Sequence, residues 1–273
     1  MGKNSKGVAI TVGLNSVDPK HYQGWSGKLN ACEADAKDMA ALAKSQKFAV
    51  TTLLTKQATR DAVQHALAAQ AEALAPGDLL MLSYSGHGGQ LPDLNSDESD
   101  GQDETWCLYD GELVDDELYA ALSDFASGVR ILVFSDSCHS GTAVKEAYFR
   151  AGASAGVSYR AMPAAVGLRT FEANKRFYTE VLTDPKNRAA DEKLKASVLL
   201  LSGCQDNQYS ADGEHNGLFT GTLLQVWNGG KFKGTYRSFH KAILARMPPD
   251  QSPNYYRVGK TNMSFLRQRV FTI

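Results

Sequence analysis

The run Asp78-Leu-Leu-Met-Leu-Ser-Tyr-Ser85 holds four consecutive large apolar residues and lies between Pro76-Gly77 and Gly86. A stretch of this length bounded by turn residues reads as a strand buried on both faces. Four more runs have the same character: Gly7-Val-Ala-Ile-Thr-Val-Gly-Leu14, Phe48-Ala-Val-Thr-Thr-Leu-Leu54, Val129-Arg-Ile-Leu-Val-Phe-Ser135 and Ala196-Ser-Val-Leu-Leu-Leu-Ser202. Asn254 to Val258 is a candidate last strand. Between the runs, apolar residues recur at helical spacing over Asn30–Gln46, Thr59–Ala73, Val114–Phe125, Leu218–Trp227 and Tyr236–Met247. Thr59 is placed to N-cap its helix. Buried strands alternating with helices predict an α/β fold, a three-layer α/β/α sandwich around a mostly parallel sheet. In such sheets ligands bind beyond the carboxyl ends of the strands.

The chain has 273 residues, 29 Lys and Arg against 30 Asp and Glu, and a formal charge of −1. That balance excludes a protein relying on a strong basic field, so no nucleic-acid partner is expected. No apolar run reaches the roughly 18 residues needed to span a membrane. Met1 to Gly7 lacks the apolar core of a secretory signal, so a cytoplasmic location is expected. Cys32, Cys107, Cys138 and Cys204 form no C-x-x-C pair, which favours reduced thiols. Residues 142–195 lose the buried runs and are rich in Ala, Gly, Ser, Arg and Lys. They read as a mobile linker or insertion with a short helix near Phe171–Leu182.

Two polar motifs end neighbouring strands. The run to Ser85 continues as Gly86-His87-Gly88-Gly89, and the run to Ser135 as Asp136-Ser137-Cys138-His139-Ser140-Gly141. A thiol attacks as thiolate, so it needs a base nearby. A His and a Cys at two adjacent strand ends meet that need, and the flanking glycines let a substrate backbone approach. A backbone N–H of Gly86-His87-Gly88 or of Ser137-Cys138 can stabilise an oxyanion. His87 and Cys138 are the candidate catalytic residues.

These motifs resemble the metacaspases and their prokaryotic relatives, the orthocaspases, within the caspase-like cysteine peptidases. The 51-residue spacing from His87 to Cys138 fits. So do Ala31-Cys32-Glu33-Ala34-Asp35-Ala36, Ser202-Gly-Cys-Gln-Asp-Asn-Gln-Tyr-Ser-Ala-Asp212 and Gly217-Leu-Phe-Thr-Gly221. The resemblance implies one caspase-like peptidase domain over 1–273. Residues 1–141 form a large-subunit-like half, 142–195 the linker and 196–273 a small-subunit-like half. It implies an endopeptidase acting on protein or peptide substrates after Arg or Lys, as a monomer, with His87 rather than His139 as the partner of Cys138. Asp35 and Asp136 then match the acids of the specificity pocket, Cys32 and Ser85 two further pocket positions, and Asp206 a third acid. A cationic side chain needs such carboxylates, since an unpaired buried charge is costly.

Many relatives are activated by calcium, using acids equivalent to those of Asp93–Glu104, a pair matched by Asp115-Asp116, and an Asp seven residues beyond the nucleophile. Here that last position is Lys145, which cannot ligate the ion. No cofactor is therefore expected to be required, and calcium stays as the alternative. Relatives also cut themselves in the linker, where Lys145, Arg150, Arg160, Arg169, Lys175, Arg176 and Arg188 are candidate positions. Two alternatives remain at this level: a catalytically silent scaffold or trigger-dependent zymogen, and another thiol enzyme built on Cys138.

Overall fold

The computed structural model describes residues 5–94, 101–137, 158–188, 190, 192–204 and 210–273. The strands are β1 (Gly7–Gly13), β2 (Ala49–Leu54), β3 (Leu79–Ser85), β4 (Gly88–Pro92), β5 (Gln102–Leu108), β6 (Gly111–Val114), β7 (Arg130–Asp136), β8 (Ser197–Ser202) and β9 (Asn254–Gly259). The helices are α1 (Cys32–Ser45), α2 (Arg60–Ala73), α3 (Asp115–Ser123), α4 (Ala164–Ala173), α5 (Lys175–Leu182), α6 (Leu218–Trp227), α7 (Tyr236–Leu244) and α8 (Met263–Arg267). Six strands form one sheet in the order β2-β1-β3-β7-β8-β9. Every neighbouring pair is parallel except β8 and β9.

Alternation along the central strands divides the core between two faces. Leu79 and Met81 of β3 and Leu132 and Phe134 of β7 pack with Met39 of α1, Phe219 and Leu223 of α6, and Phe239 of α7. Leu80, Leu82 and Tyr84 of β3 and Ile131 and Val133 of β7 pack on the opposite side with Val63 and Leu67 of α2 and Leu122 of α3. Helices on both faces explain why these strands read as unbroken apolar runs. The Thr59 hydroxyl caps α2 by accepting the Ala62 N–H at 3.2 Å.

Two features differ from the sequence reading. First, β4, β5 and β6 form a separate antiparallel sheet straight after His87. Its strands are short, and Gly-Gly and the acids of 93–104 mask their alternation. Second, the part of the supposed mobile linker from 158 to 188 is packed. The helix expected near Phe171–Leu182 is two helices, α4 and α5, joined at Asn174, whose side chain donates to Thr170 O at 2.8 Å. Phe171, Tyr178 and Leu182 bury against Leu91 and Val114 of the small sheet. Tyr178 adds a polar anchor: its hydroxyl accepts the Glu112 N–H at 3.0 Å and meets His21 Nε2 at 2.7 Å. Residues 142–157, with Lys145 and Arg150, lie outside the described residues, as does the 95–100 part of the acidic loop.

Glu112 lies wholly buried beneath β4, its Oε2 accepting the Thr105 hydroxyl at 2.7 Å. Burial lifts its pKa from 4.5 to about 8, opposed by that hydrogen bond and by Arg60. The folded pKa lies above the unfolded one, so the contribution of this group to stability is complete below pH 4.5. It is lost as pH rises towards 8, by of order 1 kcal/mol per pH unit. Glu112→Gln should therefore unfold at the wild-type urea midpoint near pH 5 and at a clearly higher midpoint at pH 8.5. An equal change at both pH values would show that the carboxyl does not titrate with folding.

Candidate active site

β3 and β7 are adjacent and parallel, with Ser85 opposite Asp136 in register, so the two polar motifs begin side by side. Tyr84 fixes the turn that follows β3. Its ring stacks on Trp106 at 4.4 Å, and its hydroxyl donates to His87 O at 2.7 Å. Gly86 is needed here, because a Cβ would lie 2.5 Å from that hydroxyl. The His87 carbonyl also accepts the Cys107 N–H at 2.9 Å, tying the turn to β5.

The His87 ring is buried, packed at 4.7 Å against Trp25, with Nε2 3.0 Å from Gly27 O. A carbonyl only accepts, so Nε2 carries the proton and Nδ1 keeps a lone pair. Nδ1 is buried with no hydrogen-bond partner among the described residues. Burial pushes the pKa down to about 4; the bond to Gly27 opposes this and the charge of Arg160 adds to it. The imidazole is neutral at pH 7 and able to accept a proton. Cys138 lies outside the described residues.

Beside His87, at the carboxyl end of β3 and β7, Asp35, Asp136, Ser85 and Cys32 come together. The first turn of α1 supplies Asp35 and Cys32; Met39, Phe134 and Phe219 line the floor below. A guanidinium fills the space between the carboxylates: Arg160 of the same chain, 0% exposed. Its two terminal nitrogens divide the contacts. Nη2 is 2.7 Å from Asp35 Oδ2 and 3.0 Å from Asp212 Oδ1, while Nη1 is 2.9 Å from Asp136 Oδ2 and 2.9 Å from Ser85 Oγ. Gly217 allows this approach, since a Cβ there would fall on the guanidinium. Although burial opposes its charge, Asp136 and the other acids hold Arg160 well above its ordinary pKa.

The acids are held in turn. Asp35 Oδ1 accepts from Asn216 Nδ2 at 3.0 Å and from Gly217 N at 3.1 Å. Asp136 Oδ2 accepts the Thr220 hydroxyl at 2.7 Å and the Thr220 N–H at 3.0 Å. Burial lifts the Asp35 carboxyl to about 6, with Arg160 pulling it back and Asp136 pushing it further up. Burial also lifts the Cys32 thiol to about 12, so Cys32 lines the site as a neutral thiol.

Two residues of this arrangement escaped the sequence reading. Asp212 provides a third acid, its Oδ2 also accepting the Asn30 N–H at 2.7 Å ahead of α1. Its place at the end of the quoted Ser202–Asp212 motif is the signal that was available. Asp206, the acid expected there, lies outside the described residues. Arg160 read as one linker charge among seven; Arg169, Lys175, Arg176 and Arg188 are indeed exposed, and Arg160 is buried. Glu104, Asp116 and Asp103, of the acids matched to the relatives' calcium region, lie around Asp115. Burial, then Glu104, Asp116 and Asp103, pushes Asp115 well above the carboxylate range. No group of three or more His, Cys, Asp or Glu among the described residues is placed to hold a metal ion. No described helix is long and apolar enough to cross a membrane.

A family model described as the caspase domain matches residues 7–266. Metacaspase-1 of Mycosarcoma maydis is 34% identical over 265 residues, a match covering 82% of this chain and 63% of that protein. Metacaspase-1 of Schizosaccharomyces pombe is 30% identical over 256 residues, covering 80% and 58%. The chain thus spans less than two thirds of the length of either relative. A crystal structure of a Geobacter sulfurreducens protein superposes with a TM-score of 0.91 at 61% identity, covering 98% of this chain and 99% of that one. The parallel α/β sheet, the His87 turn and these matches agree: the chain belongs to the caspase-domain family and is similar to its metacaspase members.

Proposed function

We propose that this chain is a cysteine endopeptidase that cuts peptide bonds after Arg or Lys. The observation that carries this reading is the seat of Arg160: a buried, acid-lined pocket adjoining His87 that is shaped to a guanidinium. A redox sensor or an acyltransferase has no use for a cation receptor beside its thiol. Cys138 is the nucleophile and His87 its base. The Nδ1 lone pair takes the thiol proton, the sulfur attacks the scissile carbonyl, and the imidazolium protonates the leaving amine. A water then hydrolyses the thioester. The Gly88 N–H, next to His87, is the described donor for the oxyanion.

Asp35, Asp136 and Asp212 with Ser85 bind the side chain preceding the cut, and Cys32 lines the pocket. Contacts divided between two terminal nitrogens suit the planar fork of Arg better than the single ammonium of Lys. No metal is assigned a role in these steps. The filled pocket favours a latent peptidase over a silent scaffold.

Fluorogenic peptides ending in Arg, Lys or Asp test the reading, with calcium and with chelator. Hydrolysis after Arg, slower after Lys and absent after Asp, should disappear in Cys138→Ala and His87→Ala and persist in chelator. Asp136→Asn should lower kcat/KM on the Arg peptide about 100-fold, the roughly 3 kcal/mol lost when a buried ion pair loses one charge. Cleavage after Asp, or cleavage by Cys138→Ala, contradicts the reading.

The pH dependence follows from Asp35, whose carboxyl sits at about 6 with a guanidinium in place. Taking the cation away raises it further, because burial and Asp136 are what lift it. Binding of an Arg ligand to the pocket once Arg160 has left it therefore releases protons above about pH 6: affinity climbs as pH rises from there and is level below it. Inhibition by an Arg-ended peptide aldehyde should show this rise between pH 6 and 8 in wild type and a flatter profile in Asp35→Asn. Identical profiles would remove Asp35 from the pocket.

A further inference from the structure

Charge is unevenly placed along the chain. Residues 228–273 hold nine of the 29 Lys and Arg but only one of the 30 Asp and Glu, Asp250. All nine cations are exposed, and no carboxylate among the described residues forms an ion pair with any of them. Arg257 lies in β9 and Lys260 directly after it. β9 is the outer strand of the six and pairs with β8 alone. Alternation sorts the two faces of this edge. Tyr255, opposite Leu201 in register, packs towards α7, where the His240 ring is 5.5 Å away. Burial lifts the Tyr255 hydroxyl, and the charges of Arg257 and then Arg237 of α7 oppose it, so both guanidiniums stand on this face. Tyr256, opposite Leu200, takes the other face and is 51% exposed.

An edge strand offers a row of backbone N–H and C=O groups to any extended chain. A second copy is a poor occupant, because pairing two such edges brings the same cations together. A nucleic acid meets the cations but has no main chain to continue the ladder. An acidic polypeptide satisfies both: its backbone extends the sheet, alternate carboxylates meet Arg237 and Arg257, and the intervening side chains lie over Tyr256. We infer that the outer edge of β9 is a docking strip for an extended acidic segment of another protein, bound by strand addition. The strip is placed to serve the pocket. Asn254 pairs with Ser202, so β9 begins level with the carboxyl end of β8. Just before it, Gln251 donates to Gly203 O at 3.1 Å and to the Ser210 hydroxyl at 2.9 Å, and Ser210 donates to Asp136 Oδ1 at 2.5 Å. A strand added to β9 lies about 15 Å from β7, three strand spacings. That is the reach of about five extended residues. Proteins with an acidic stretch that far before an Arg are the substrate class this strip recruits; the recruiting role rests on the peptidase reading above, and the binding does not.

The test follows the anisotropy of a labelled six-residue peptide of alternating Glu and Val, titrated with the full chain at low salt. The peptide should bind, and its counterpart with Lys for Glu should not. N-methylating one alternate set of its backbone nitrogens should weaken binding at least about tenfold, and N-methylating the other set should not, because only one set faces β9. The double variant Arg237→Glu, Arg257→Glu alters exposed side chains, so it should melt like wild type while binding the peptide about tenfold more weakly. A six-nucleotide single strand should not displace the peptide. Failure to bind, equal effects of the two N-methyl sets, or displacement by the oligonucleotide overturns the docking strip. For recruitment, the acidic stretch is joined through a five-residue Gly and Ser spacer to the amino end of the fluorogenic Arg peptide. It should lower KM about tenfold with kcat unchanged. The double variant should lose this advantage and hydrolyse the plain Arg peptide at the wild-type rate. Equal KM for the two peptides overturns the recruiting role. Binding without hydrolysis of either peptide defeats the peptidase reading and leaves the strip standing; hydrolysis without binding does the reverse.

Discussion

Moving a guanidinium and three carboxylates out of water costs several kcal/mol per ion even after the protein relaxes. Asp35, Asp136, Asp212 and Arg160 are side chains with 2% exposure or less, so the surrounding structure has to offset that cost. It does so by occupying the remaining lone pairs. Asn216 and Gly217 donate to Asp35, Thr220 to Asp136, and Asn30 and Ala31 to Asp212. These donors come from the segment before α1, from the loop before α6 and from α6 itself. One charge cluster therefore fixes how the start of α1, the end of β7, the Arg160 segment and the start of α6 meet. With three acids to one base the balance is negative, and Asp35, raised by burial, is where the excess is relieved.

The sheet supplies the geometry around this cluster. Parallel pairing of β3 with β7 brings two strand ends level, and everything chemical follows from those ends. Ser85 and Asp136 turn towards the α1 and α6 face and build the pocket, while Tyr84, one residue earlier and on the other face, stacks on Trp106 and holds the His87 turn. A one-residue change of register would exchange those roles. Gly88 connects the two functions, beginning β4 while directing its N–H and C=O at the segment that carries Arg160.

The parts legible in the sequence are those where local pattern and tertiary role agree. The apolar runs of β1, β3, β7 and β8 announce strands covered on both faces, and His87, Asp35 and Asp136 stand at the ends of recognisable patterns. Arg160 was not legible in its role, because nothing local distinguishes it from Arg169 or Arg176. Its burial depends on acids that lie 125, 24 and 52 residues away in the chain. The α4–α5 pair was obscured for a related reason. Its apolar positions are separated by Ala, Lys and Arg, and they find partners on the small antiparallel sheet, whose short strands were themselves hidden, and on the distant segment around Val17 and Tyr22. Asp212 was within a recognised motif, but the motif does not say which acid turns inward.

Arg160 is covalently joined to the pocket it fills, and this sets the terms on which any other molecule competes for it. A tethered group presents itself at an effective concentration of order millimolar, and that concentration does not fall when the protein is diluted. The occupancy of the pocket by Arg160 is therefore a unimolecular property, the same in a crowded compartment and in a dilute assay. An external cation bound with micromolar strength has to be supplied far above its own dissociation constant before it is felt. Sensitivity to such ligands is governed by the integrity of the backbone around residue 160, not by how much of the protein is present.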